Sequence, residues 1–240
     1  MSLYVCAGPI GNLADVSLRL LEVLKTVDVI LAEDTRRTLK LLSHYGIKGR
    51  LVSLNQHNES GRIPRVLRGL RLGETFALLT DAGTPGISDP GASLVCAVRK
   101  EGYPVWVIPG PSAVTAALSG AGLSADRFVF AGYPPRNSGE RKRFYQEWVR
   151  TDCPSVFFEA PHRLLKSLSD LALVWPGIEV VLYHEITKVH ESAIVGSAED
   201  VLQQLEGTDI RGEYVIVARV FPTRDDYRRS PQQKKEGQPT

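Results

Sequence analysis

Apolar residues fall along the chain into short β-rich runs that alternate with helical patterns. "LYVCA", "DVILAE", "RLVSLN", "TFALLT" and "PVWVIPG" each lead, through a turn or loop, into a stretch with helical apolar spacing, such as "DVSLRLLEVLKTV" or "DTRRTLKLLSHYG". In the latter, Asp34 is placed to cap the helix start and Gly46 to stop it. The runs are apolar without alternation, which predicts burial on both faces. Five βα units in a row therefore predict a parallel sheet covered by helices.

After "SGAGLSADR" the pattern restarts with "FVFAGY", a helix over 139–151, "SVFFEA", a helix over 162–174, "EVVLYHEI", "SAIVGS", a helix over 198–206 and "GEYVIVARVF". "VVLYHEITKVHESAIVGS" reads as two strands joined by a short polar link, which makes the second sheet mixed. The expected organisation is two α/β domains, 1–120 and 121–221. The boundary lies in the Gly- and Ser-rich stretch 119–126, and a disordered basic tail follows over 222–240.

Composition refines this picture. With 43% apolar and 23% charged residues the chain reads as a soluble globular protein, and no apolar run approaches the roughly 20 residues of a membrane span. Cys6, Cys96 and Cys153 have no metal or redox spacing, and Cys6 and Cys96 lie in apolar stretches. They predict reduced core thiols and a cytoplasmic location. A net charge of +2 rules out a global basic field for nucleic acid. Positive charge is local instead: "RNSGERKR" at 136–143, the tail, and the row Arg62, Arg65, Arg68 and Arg71, whose spacing suits a solvated helix face.

Glycine and proline crowd at strand exits. "AGPIGN" follows the first strand, "DAGTPGISDPG" the fourth and "PGPSA" the fifth. One such loop would be a tight turn; three on the C-terminal edge of an open sheet mark a ligand site, where glycines admit close backbone approach. "GPIG" is not a dinucleotide fingerprint, no P-loop is present, and the histidines form no metal-ligand set, so no metal is expected. A ligand that brings its own reactive group fits best.

These blocks carry a resemblance. "AGPIGNL", "AEDTRRT", "DAGTPGISDPG", "PGPSA", "APHRL", "HEITKVHE" and "GEYVIV" resemble, in order and over about residues 3–220, the small-subunit ribosomal RNA 2′-O-ribose methyltransferases of the tetrapyrrole methylase-like superfamily. The resemblance implies two α/β domains, a homodimer, and S-adenosyl-L-methionine bound in a cleft between the domains. It also implies methylation of a cytidine ribose in the decoding region of the small ribosomal subunit. Cofactor contacts are implied at Pro9, Asp81, Ala82, Gly83, Ile87, Ser112 and Ala113, then Phe158, Glu159 and Ile186. Asp89 is read as a cap for the helix near Gly91.

Methyl transfer to a hydroxyl asks for in-line positioning and a base or polarising cation. Glu33, His57, Glu59 and Glu191 are candidates, but Asp34, Arg36, Glu185 and Lys188 are chosen. For RNA phosphates the choice is Arg36, Arg37, Arg136, Arg141, Lys142 and Arg143, with "SG" as a flexible element of a clamp, Tyr133 as a base-stacking candidate and Arg163 as a weaker one. The chain departs from the family pattern at Asn55 and Gln56, at Ala160 in place of serine, at His184 in place of arginine, and in lacking a C-terminal helical domain. A methylase for a tetrapyrrole or other small acceptor, or a silent ribosome-associated binding protein, are the rival readings.

Overall fold

In the computed structural model residues 1–220 are described; the tail expected over 222–240 lies outside them. They form two compact units, Met1–Ala116 with Glu185–Glu191, and Ala117–His184 with the chain from Ser192 onward. Segment 185–191 thus belongs with the first unit, an excursion absent from a linear division at residue 120.

The first unit is built on five parallel strands, β1 (Leu3–Cys6), β2 (Val29–Ala32), β3 (Leu51–Ser53), β4 (Phe76–Leu79) and β5 (Val105–Ile108), in the order β3-β2-β4-β1-β5. Helices α1 (Leu18–Thr26), α2 (Thr35–His44), α3 (Glu59–Arg71), α4 (Ala92–Lys100) and α5 (Ala113–Gly120) alternate with the strands. Alternate strand residues feed two cores. Leu31 and Leu78 join Val66, Leu70, Leu94 and Val98 from α3 and α4, while Ile30 and Ala77 join Leu20, Leu24, Leu41 and Leu42 from α1 and α2. Helices therefore cover both faces, as unbroken apolar runs require. Coverage fails at the β5 edge, where Trp106 and Val107 are each 56% exposed.

The second unit holds a mixed sheet, β6 (Val129–Phe130), β7 (Ser155–Glu159), β8 (Glu179–His184), β9 (Ser192–Ser197) and β10 (Tyr214–Arg219), in the order β6-β7-β10-β8-β9. Only β6 and β7 are parallel. Helices α6 (Ser138–Trp148), α7 (Leu164–Val174) and α8 (Ala198–Leu205) pack through Tyr145, Leu168, Leu171 and Val201 onto Phe157, Val180, Leu182 and Ile216. Of the expected core thiols, Cys6 is buried, and burial pushes it up to about 12; Cys96 is exposed on α4, a correction to the reading of its apolar neighbourhood. Among the described residues no helix is long and apolar enough to cross a membrane.

Candidate active site

The three glycine-proline loops leave β1, β4 and β5, which are contiguous in the sheet, so one edge gathers all three. They interlock through backbone. Gly8 N–H donates to the Gly83 carbonyl at 2.8 Å, closing a β-bridge between the first and fourth loops. A Cβ on Gly110 would lie 3.0 Å from the Ala7 carbonyl, so the fifth-strand loop presses on the first. Gly83 takes φ +71°, in the left-handed region that glycine adopts without penalty. Pro9, Arg37, Thr80 and Asp81 line a cavity of about 70 Å³ at this edge. Ile87 is half exposed on the fourth loop, and Ala82, Ser112 and Ala113 are partly accessible.

Acid groups from the exits of β2 and β4 meet here. The Asp81 N–H donates to Glu33 Oε2 at 3.2 Å, and the Asp34 N–H donates to Asp81 Oδ1 at 3.0 Å, while Arg37 Nε stands 3.5 Å from Asp81 Oδ2. Burial raises Glu33 above the usual carboxylate range, with the Asp81 and Asp34 charges adding to the rise. Burial likewise pushes Asp89 up to about 6, reinforced by Glu33 and Asp81 and opposed by the neighbouring Thr80 hydroxyl, which makes no hydrogen bond of ordinary geometry. Asp89 is not the expected helix cap. The cap position of α4 is Gly91, at φ +125°, which has no side chain to cap with, and the Leu94 N–H in the first turn is taken by Glu59.

The Asp89 shift has a measurable sign. Between pH 3.8 and about 6 the folded chain holds a proton that the unfolded chain releases, so stability falls as pH rises through that window. At pH 7 ionised Asp89 is a net cost. Asp89→Asn should melt at a higher temperature than the parent at pH 7 to 8, with the gap closing below about pH 4. A melting difference independent of pH would refute this.

Asp34 caps α2 as expected, accepting from Arg36 N–H at 2.8 Å. It also takes a two-pronged grip from the Arg36 guanidinium at 3.1 and 2.7 Å, and those bonds hold its carboxyl down to about 2. That makes it a poor proton acceptor, so the two residues form an oriented ion pair in place of a base. Lys188 Nζ lies 2.8 Å from Glu185 Oε1, in the segment that belongs to the first unit. Glu185 (φ +53°) and Thr187 (φ +67°) on either side of Ile186 are left-handed, a conformation that costs non-glycine residues of order 1–3 kcal/mol each. Glu59 is spoken for: it is buried, and its Oε1 accepts from Leu94 N–H at 2.9 Å.

On the second unit, Phe158 stacks edge-on with Phe130 (4.9 Å) and Tyr133 (5.5 Å), and Tyr133 is 56% exposed. Glu159 does not fit a ligand contact. It is buried, and its carboxylate already accepts from the Ala160 N–H, Ser167 Oγ and Arg163. Arg163 in turn donates to the Pro134 carbonyl, which ties the loop before α6 to the exit of β7.

The basic stretch is also corrected. "SG" is the first turn of α6, capped by Asn137, and not a flexible element. Arg141 points inward, its side chain 4% exposed, paired with Asp170 at 2.5 Å and donating to the Pro135 and Arg136 carbonyls. It is unavailable to RNA. Lys142 is half shared with Asp170 at 3.5 Å, which leaves Arg136 and Arg143 facing solvent.

Comparison with known proteins interprets this edge. Residues 2–202 match the family model for tetrapyrrole (corrin/porphyrin) methylases. The chain is 45% identical over 227 residues (94% of it, 77% of the relative) to the ribosomal RNA small subunit methyltransferase I of Neisseria meningitidis serogroup A. It is 43% identical over 220 residues (90% of it, 95% of the relative) to the protein of that name in Hydrogenobaculum. Its fold is similar to that of a uroporphyrin-III C-methyltransferase from Thermus thermophilus solved with S-adenosylhomocysteine, at TM-score 0.63 and 19% identity, over 91% of this chain and 97% of that one. The family model and the relatives alike define a methyltransferase. More narrowly, the chain belongs to the tetrapyrrole (corrin/porphyrin) methylase family.

Proposed function

We propose that this protein transfers a methyl group from S-adenosylmethionine to small-subunit ribosomal RNA, at the 2′-hydroxyl of a cytidine ribose in the decoding region. The observation that carries the reading is the extent of the likeness: 45% identity to a small-subunit ribosomal RNA methyltransferase runs through both units, and not the methylase sheet alone. S-adenosylmethionine supplies an electrophilic methyl group on a sulfonium; this chain's residues bind, orient and exclude water. Pro9, Asp81, Ala82, Gly83, Ile87, Ser112 and Ala113 are assigned to the donor on the first unit, with Ile186 from the returning segment of that unit. Interlocked backbone at the loop edge suits a ligand rich in hydrogen-bonding groups, and the acids suit its cationic centre.

Arg36, Arg37, Arg136 and Arg143 are assigned to the RNA side, where exposed guanidinium groups meet phosphate. Asp34 positions Arg36, and Glu185 positions Lys188. The family resemblance further supports a homodimer, and the absence of disulfides among the described residues supports a cytoplasmic setting.

The test is incubation with methyl-labelled S-adenosylmethionine and unmodified small subunits, naked ribosomal RNA or a tetrapyrrole precursor. Alkali-resistant label at one cytidine is the expected result. Label in the tetrapyrrole alone would overturn the acceptor assignment.

A further inference from the structure

Many arginines in this protein come with a carboxylate. Arg36 pairs with Asp34, Arg37 with Asp81, Arg50 with Glu74, Arg71 with Glu101, Arg141 with Asp170 and Arg163 with Glu159. On α3 three successive ones do not. Among the described residues Arg62, Arg65 and Arg68 make no ion pair, and the acids within the helix's reach are engaged elsewhere: Glu59 with the α4 backbone, Glu74 with Arg50 and Glu101 with Arg71.

Two of these arginines, Arg62 and Arg65, lie beside Arg50 and Val52 at the sheet edge. β3 is the edge strand, only three residues long and half exposed throughout. Arg62 and Arg65 hang over that open edge and line a shallow groove with Arg50, Val52, Glu74 and Phe76. Helical rise separates Arg62 from Arg68 by about 9 Å along the axis. Because α3 runs antiparallel to the strands, the row starts near the loop edge and leads away from it. Stems that roof an apolar groove explain the placement of Arg62 and Arg65, but not three uncompensated charges in succession.

We propose that Arg62, Arg65 and Arg68 form a phosphate-binding track that holds the ribosomal RNA backbone outside the methylated nucleotide. The proposal rests on the RNA reading above and adds to it a surface that leads away from the donor loops. Charge complementarity selects the partner, since a single-stranded phosphate backbone presents anions at a spacing such a row can meet.

The test uses the full chain and small ribosomal subunits, with binding followed across salt concentrations. Arg62→Gln/Arg65→Gln/Arg68→Gln keeps the stems and removes the charges. It should lower the slope of log affinity against log salt by about 2, from roughly 0.7 per lost contact, and weaken binding on the order of a hundredfold at 0.1 M salt. KM for subunits should rise while kcat at saturation and donor affinity hold, and the corresponding triple lysine variant should keep the parent slope. If the glutamine triple loses its melting transition, Arg65→Gln and Arg68→Gln alone should each take about 0.7 from the slope. A parent-like slope in a folded, charge-free variant overturns the track while leaving the methylation reading intact. A parent that labels no RNA sinks both.

Discussion

Asp170→Ala is expected to cost about 3–5 kcal/mol of stability, among the largest losses any single substitution in the second unit would cause. Asp170 lies on α7 with its side chain 8% exposed and collects Ser138 Oγ at 2.9 Å, Arg141 Nε at 2.8 Å and Arg141 Nη2 at 2.5 Å. Removing it leaves a guanidinium buried among α6 and α7 with two backbone carbonyls and no counter-charge. For a chain of this length that loss corresponds to a fall in melting temperature of roughly 6 to 20 °C. The double replacement Arg141→Met with Asp170→Leu should recover much of it, because two packed apolar groups carry no desolvation penalty. Since Arg141 also holds the Pro135 and Arg136 carbonyls, the single variant should loosen the backbone that presents Arg136. Thermal melts of the three proteins decide the matter. An Asp170→Ala protein within 1 kcal/mol of the parent would mean that the pair is solvated in solution.

That pair marks where the sequence stops being legible. The first sheet was readable because apolar runs without alternation point to burial on both faces, which holds for β2 and β4 and fails at the exposed β5 edge, and the turn-rich loops fall where strand exits demand them. Asp34 as a cap was readable because the cap bond is local. Arg141 was not, because nothing within "RNSGERKR" says which guanidinium turns inward; that is decided by Asp170, 29 residues later on another helix. Asp89 failed as a cap for a similar reason. "SDPG" has the chemistry of a helix entry, but Gly91 takes φ +125°, where a Cβ would stand 2.6 Å from buried Leu78, and Asp89 faces acids brought by other strands. The α3 arginines were legible as a row but not as unpaired, since pairing depends on where Glu74 and Glu101 come to rest.

The return of segment 185–191 to the first unit was equally invisible, and it motivates the second large effect: Gly11→Ala should lower turnover on the order of a hundredfold. Gly11 lies in the first-strand loop, and a Cβ there would stand 2.6 Å from Lys188 Cγ, 2.7 Å from Thr187 Oγ1 and 3.0 Å from the Ile186 carbonyl. None of these can yield cheaply. Thr187 is already left-handed with its hydroxyl buried and unpaired, and the Lys188 ammonium is tied to Glu185. The methyl group must therefore push Ile186, Thr187 and Lys188 away from the loop that carries Pro9. Overpacking of this kind costs about 1–3 kcal/mol, a modest loss of stability, whereas a displacement near 1 Å at a reacting site is far more damaging to rate. Gly61→Ala is the matched control, since a Cβ at Gly61 meets nothing within 4 Å and the residue lies in α3. Single-turnover methylation and melting temperature, measured on both variants, separate the two effects. Parent-like turnover by Gly11→Ala would show that contact between the first loop and the returning segment is incidental to the chemistry.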